Sequence, residues 1–100
     1  MPQYTGDPVS GTGATIRCRA DRHACTVVQV ISPRRIAVRR DRAIREDVNG
    51  ASGRQDYCYV TDPSAAEELF SLCGGQWVQE GNPENVLTLG ARDEYYDFSL

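Results

Sequence analysis

The only histidine of the chain, His23, stands in the stretch Ala-Asp-Arg-His-Ala-Cys, with Asp21 two residues before it and Cys25 two residues after it. A carboxylate, an imidazole and a thiol at this spacing offer three readings: a base-activated cysteine nucleophile, a metal site, or the polar entrance to a strand that does neither. On an extended strand the three side chains share one face, but positions 23 and 25 lie about 7 Å apart, beyond the hydrogen-bond reach that a nucleophile and its base require. The row is a same-face set and not a dyad. Metal-assisted hydrolysis would want several histidines or a tight carboxylate cluster, and the sequence offers neither. Ser-Gly-Thr-Gly-Ala-Thr at 10–15 lacks the lysine and the following helix of a phosphate loop. The expectation is a protein that is not an enzyme, with no metal and no cofactor.

The cysteines narrow this further. Cys18, Cys25, Cys58 and Cys73 are separated by 7, 33 and 15 positions, and no Cys-x-x-Cys pair occurs. Structural zinc sites draw their ligands from such close pairs, so a Cys18, Cys25, Cys58 and His23 site would depend on strands gathering them. Buried free thiols, packing as small hydrophobes in a reducing cytosol, are the expectation. One disulfide between neighbouring strands is the alternative.

Charge is distributed unevenly. The net value is −3, yet residues 1–54 carry ten arginines against five acids, while residues 55–100 carry nine acids against one arginine, Arg92. Two arrangements fit: the halves neutralise each other across one sheet, or a dipolar surface presents a basic face to an anion. Every basic residue is arginine, the side chain best suited to forked recognition of phosphate. A nucleic-acid surface could use the arginine strand around 34–42 with Tyr57 and Tyr59 as stacking platforms, but the overall acidity argues against phosphate-dominated binding. A compact anion is easier to satisfy. Arg22 and Arg92, with Asp21, His23 and the Tyr95/Tyr96 pair, form a candidate binding set if the end of the chain lies beside the 20–30 segment.

These residues must be carried by strands. Ala14, Ile16 and Cys18 alternate with Thr15 and Arg17, the period of a half-buried strand. Cys25–Ser32 is rich in β-branched residues and stops at Pro33, and Ile36 and Val38 alternate with Arg35 and Arg39. The three pieces predict an antiparallel meander. Residues 41–55, with Asn49-Gly50 and Ser52-Gly53, read as a hairpin tip or longer loop. Asp56–Val60 alternates again. Ser64 and Glu67 have capping-box spacing, which allows one helical turn, whereas Gly74-Gly75 between apolar segments marks a hairpin with Phe70 and Leu72 facing Trp77 and Val78. One more strand and an aromatic tail close the chain. The predicted fold is all-β: a small, antiparallel, strongly bent β-barrel or sandwich of six to eight short strands, with room for one short helical turn. Residues 1–13 read as a flexible arm and 14–100 as a single domain, as expected of 100 residues. With no apolar run long enough to span a bilayer and no signal segment near Met1, the expected compartment is the cytoplasm.

Ala-Asp-Arg-His-Ala-Cys-Thr-Val at 20–27 and Gly-Ala-Arg-Asp-Glu-Tyr-Tyr-Asp-Phe-Ser-Leu at 90–100 resemble the two ends of a group of short phage and bacterial proteins. Their pattern runs Ser-Asp-Arg, a spaced Ala and Thr-Val, and closes on Gly-x-Arg-x-x-Tyr-x-Asp-Phe/Tyr-Ser-Phe. Here Ala20 replaces the serine and Leu100 the final phenylalanine. The resemblance implies a phage-type origin and a β-rich fold, and brings no activity with it. The functional expectation is a non-enzymatic binding module that sequesters a small anionic, nucleotide-like ligand, as a counter-defence sponge for a host signal would. The alternatives are an inhibitor that covers a host protein and a structural accessory protein, and under any of these readings the protein could be a homo-oligomer.

Overall fold

In the computed structural model, residues 8–45 and 57–95 are described. They form eight strands: β1 Gly13–Cys18, β2 Asp21–Ser32, β3 Arg35–Arg40, β4 Arg42–Arg45, β5 Tyr57–Val60, β6 Glu67–Cys73, β7 Gln76–Gln79 and β8 Asn82–Leu89. Six of them close into an antiparallel barrel in the order β1-β2-β3-β6-β7-β8, and β4 and β5 form a separate two-stranded ribbon. The barrel is a meander interrupted once, between β3 and β6, by the excursion that carries the ribbon. No helix among the described residues is long and apolar enough to cross a membrane.

Closure depends on β2. This strand spans 12 residues and serves two neighbours, with Asp21–Thr26 laddered to β1 and Cys25–Ser32 to β3. Register shifts between Val27 and Gln29 and between Val30 and Ser32 mark bulges, and each bulge bends and twists the strand toward the ring. Apolar residues at every second position turn inward: Ala14 and Ile16, Cys25 and Val27, Ile36 and Val38, Phe70, Trp77, and Leu87 form the core. At one end the same inward rows become polar. Arg40 donates to both oxygens of Glu68 at 2.8 and 3.2 Å, Gln79 Nε2 donates to Glu68 at 3.0 Å, and the buried Asn85 donates to Gln79 at 2.9 Å. A satisfied polar chain of this kind fills the barrel end without leaving a buried group unpaired.

The sequence expectations resolve as follows. Leu72 opposes Trp77 across the Gly74-Gly75 turn, but Val78 opposes Ser71 on the outer face and Phe70 opposes Gln79. The helical turn at Ser64 does not form. The Asp62 carboxylate accepts from the Ser64 N–H at 3.1 Å and from its hydroxyl at 2.6 Å, closing a turn, and Glu67 begins β6 opposite Arg39 instead of capping a helix. Arg42–Arg45, expected within a loop, is a strand because it finds β5 as a partner; residues 46–56 lie outside the described residues. Of the N-terminal arm, residues 1–7 lie outside them too, while Gly11 donates to the Val27 carbonyl at 2.7 Å and Val27 donates back to Thr12 at 2.9 Å.

The uneven charge is reconciled across the sheet. Arg22, Arg35, Arg39 and Arg40, all from the first half, pair with Asp93, Glu80, Glu67 and Glu68 from the second. Glu80 receives both Arg35 nitrogens and the Ser71 hydroxyl, which together hold its carboxyl down at about 2.

The thiols are not uniformly buried, contrary to the expectation. Cys25 lies in the core, Cys18 is half-buried, and Cys58 and Cys73 are exposed, with no disulfide among them. Exposure follows from position: Cys58 lies with Val60 on the exposed face of the ribbon, and Cys73 borders the Gly74-Gly75 turn. A disulfide dye should therefore modify Cys58 and Cys73 rapidly in the native protein and Cys25 only on unfolding; four equally fast thiols would contradict the closed core.

Candidate functional site

The site is built where β3 ends. Because β3 stops at Arg40, the first part of β2 loses its neighbour on that side, and its backbone groups there need other partners. The segment after β8 supplies them. Gly90, at φ 97°, turns the chain and donates to the Gly13 carbonyl at 2.8 Å, and Thr15 Oγ1 donates to the Ala91 carbonyl at 2.7 Å. The segment thus crosses the outside of β1 and β2. Beyond β2 it completes the open edge: Arg22 and Tyr95 exchange backbone hydrogen bonds of 3.0 and 2.9 Å, and the Glu94 carboxylate accepts from the Ala24 N–H at 2.8 Å. The neighbouring Ala24 carbonyl accepts from Asp41 N–H at 2.9 Å.

This crossing sorts the sequence-predicted residues into three places. Arg22 and Tyr95 come together on the outer face, the guanidinium carbon lying 4.9 Å above the ring centroid and Nε bonded to Asp93 at 2.5 Å. His23 shares its face with Ile16, its register partner, and points inward; its Nδ1 lies 3.1 Å from Glu94, which is only 5% exposed. Asp21 pairs in register with Cys18 on that same inward row. Arg92 is elsewhere. It lies across the Gly13–Thr26 pair, with Nε on the Asp41 carboxylate at 2.8 Å and Nη2 on Thr26 Oγ1 at 2.9 Å. A Cβ on Gly13 would fall 2.9 Å from the Arg92 guanidinium carbon, so the glycine makes room for it. Thr26 is four residues along β2 from Arg22, about 13 Å, so Arg92 and Arg22 do not converge on one small anion. Tyr96 lies outside the described residues.

Two residues outside the candidate binding set, Arg17 and the Tyr59 expected as a nucleic-acid stacking platform, define the place where Arg22 and Tyr95 meet. Arg17 is the direct cross-strand partner of Arg22, on the same outer face and exposed, and among the described residues it makes no ion pair. Tyr59, from the ribbon, approaches the segment: burial raises its phenol above the ordinary range, and Asp93 and Glu94 add to that rise. The arrangement brings together the cross-strand partners Arg17 and Arg22, the Tyr95 ring beside the Arg22 guanidinium, and the Asp93 carboxylate.

The Asp21, His23, Cys25 row offers a contrasting chemistry. Glu94 orients the imidazole as a base would be oriented, but the Cys25 thiol is fully buried, and that burial pushes it up to about 12, so it stays protonated at neutral pH. No group of three or more histidine, cysteine or carboxylate side chains suited to holding a metal occurs among the described residues. A depression of about 250 Å³ lies beyond Arg92 and is lined by Thr26, Val28, Arg39, Asp41 and the Thr61–Pro63 turn. Its Arg39 is already committed to the Ala65 carbonyl and Glu67, and its Asp41 to Thr26 and Arg92. Comparison with family models, with curated proteins and with solved structures gives no match to this chain.

Proposed function

We propose that this protein is a non-enzymatic binding module that holds a small nucleotide-like anion on the outer face of the β1–β2 hairpin, with Arg17 and Arg22 as the donors and Tyr95 as the aromatic wall. The observation that carries this reading is the Arg17–Arg22 cross-strand pair. Like charges directly opposite one another destabilise a sheet, with side chains about 5 Å apart at Cβ, and a bound phosphate would convert that repulsion into a forked set of charge-assisted hydrogen bonds. Each such bond contributes about 1.5–3 kcal/mol, enough together with stacking for micromolar affinity after association costs. Asp93 holds Arg22 through Nε, which keeps the guanidinium in place against Tyr95 and leaves its terminal nitrogens without a hydrogen bond among the described residues.

The likeness to phage-encoded proteins supports a role as a cytoplasmic sponge that removes a nucleotide signal, and the burial of Cys25, which keeps its thiol protonated, argues against thiol catalysis by the Asp21, His23, Cys25 row. A second reading, a protein-covering inhibitor, draws on one observation: Ile44 and Val60 are 47% and 40% exposed on the outer face of the β4–β5 ribbon. Calorimetry and thermal shift against mononucleotides, cyclic mono- and dinucleotides and nucleotide sugars separate the two. Arg22→Ala should weaken nucleotide binding at least tenfold while moving the melting temperature little, because an exposed ion pair contributes less than about 1 kcal/mol. If no member of the panel binds, the anion site is wrong and the ribbon reading takes its place.

A further inference from the structure

We infer that the anion held at the β1–β2 hairpin carries at least two adjacent phosphates, and that Arg19 is the residue that recognises the second. The inference rests on the binding site proposed above and specifies its ligand. Arg19 and Ala20 form the two-residue turn that closes the hairpin beyond the Cys18–Asp21 pair. Arg19 has φ 32°, the only positive φ at a non-glycine position among the described residues. Turns of this length favour glycine, asparagine or aspartate where φ is positive, and an arginine there costs about 1 kcal/mol. The cost is incurred on an exposed side chain, and no ion pair or hydrogen bond of that side chain among the described residues offsets it.

What the arginine adds is a third cation at one end of the hairpin. Arg17, Arg19 and Arg22 lie within six residues of each other, with Arg17 and Arg22 directly opposed. Arg19 is two residues beyond Arg17, about 6–7 Å along the chain, so a long guanidinium side chain at the turn reaches the same anion from the side. Among the described residues, two acids lie next to this cluster in sequence or register. Asp93 is paired with Arg22, and Asp21 is in register with Cys18 on the inward row. The Arg17–Arg22 fork spans one phosphate, and Arg19, set about 6–7 Å beyond Arg17, finds its acceptor on a second phosphate bonded to the first, as in pyrophosphate and nucleoside di- and triphosphates.

The test is calorimetry on the full chain at fixed ionic strength without divalent cations, using inorganic phosphate, pyrophosphate and tripolyphosphate, and adenosine mono- and diphosphate. Pyrophosphate and the diphosphate are expected to bind at least tenfold more tightly than phosphate and the monophosphate. Arg19→Gly should lower diphosphate affinity to the monophosphate level and leave monophosphate binding unchanged, while the melting temperature stays the same or rises because glycine accepts the positive φ. Arg19→Asn, a second residue that tolerates this conformation, should behave as Arg19→Gly does. Equal binding of the mono- and diphosphates by the native chain, or a diphosphate preference that survives both substitutions, would overturn the assignment of Arg19 while leaving the Arg17–Arg22 site standing. Absence of binding by every probe would overturn both.

Discussion

Replacing Glu94 by alanine is expected to destabilise the protein by about 3 kcal/mol, although the residue lies outside every strand. Two losses add up. The Ala24 N–H, at a residue with no exposure, would lose the carboxylate oxygen that stands in for a strand neighbour, and a buried donor left unpaired costs about 1–3 kcal/mol. His23 would lose the oxygen at 3.1 Å that fixes its ring. A further hydrogen bond of that kind is worth about 1 kcal/mol. For a chain of this size each kcal/mol moves the melting temperature by about 4–8 °C, so a fall of about 12–24 °C should be seen by differential scanning fluorimetry. Glu94→Gln should recover part of it, since the amide oxygen can still accept from Ala24. An unchanged melting temperature for Glu94→Ala would mean that the crossing segment is not docked on β2.

Phe70→Ala is expected to cost about 3–5 kcal/mol, the largest loss available from a single side chain here. Phe70 heads the fully buried side chains by volume and opposes Ile36 across the β3–β6 ladder, with Trp77 and Leu87 in the same cluster. A barrel of six strands has walls too tightly laddered to collapse onto the vacancy, so the transfer loss and the cavity penalty both apply. Domains of this kind have total stabilities of about 5–15 kcal/mol, and the variant should be partly unfolded at moderate temperature. Urea denaturation followed by Trp77 fluorescence measures it. A loss below about 1 kcal/mol would mean that the barrel interior is not closed around the ring.

The fold was largely legible because its signals are local. Alternation in Ala14–Cys18 and Arg35–Arg39, Pro33 as a stop and Gly74-Gly75 as a hairpin turn all report on residues within one strand length. The pairing of the charge halves was legible as one of two arrangements, and the ion pairs follow it. The site was read only in part. That Arg22 would meet Tyr95 depended on the end of the chain lying against the 20–30 segment, which the bridge between them satisfies. Arg92 looked equivalent to Arg22 in sequence, yet the path of the segment across Gly13 and Thr26 brings it to Asp41 instead. Arg17 was within reach of sequence reasoning, since a two-residue turn at Arg19-Ala20 pairs 17 with 22 by counting. Glu94 was not: its partners lie 70 and 71 positions away, and nothing local marks a glutamate that completes a sheet edge. The β4 strand was hidden for a related reason, because Arg-Ala-Ile-Arg acquires its structure from β5 and not from its own composition.

The ring is closed by its first and last strands, Ala14 pairing with Leu89 and Arg17 with Val86. A wall of this kind has no complete segment shorter than itself. During synthesis the β1–β3 meander is made early, but β1 has an open edge until residue 89 has been added, and Arg39, Arg40, Arg35 and Arg22 wait in turn for acids at 67, 68, 80 and 93. Contacts so distant in sequence require the entropy of a long loop to be lost before they contribute anything, so folding is slow relative to helical domains of equal length. The Gly90–Tyr95 crossing follows the closing strand. It sets Arg92 across the outer face of β1 and β2 next to the seam, which makes the final residues of the described chain a fastening applied to a ring already shut.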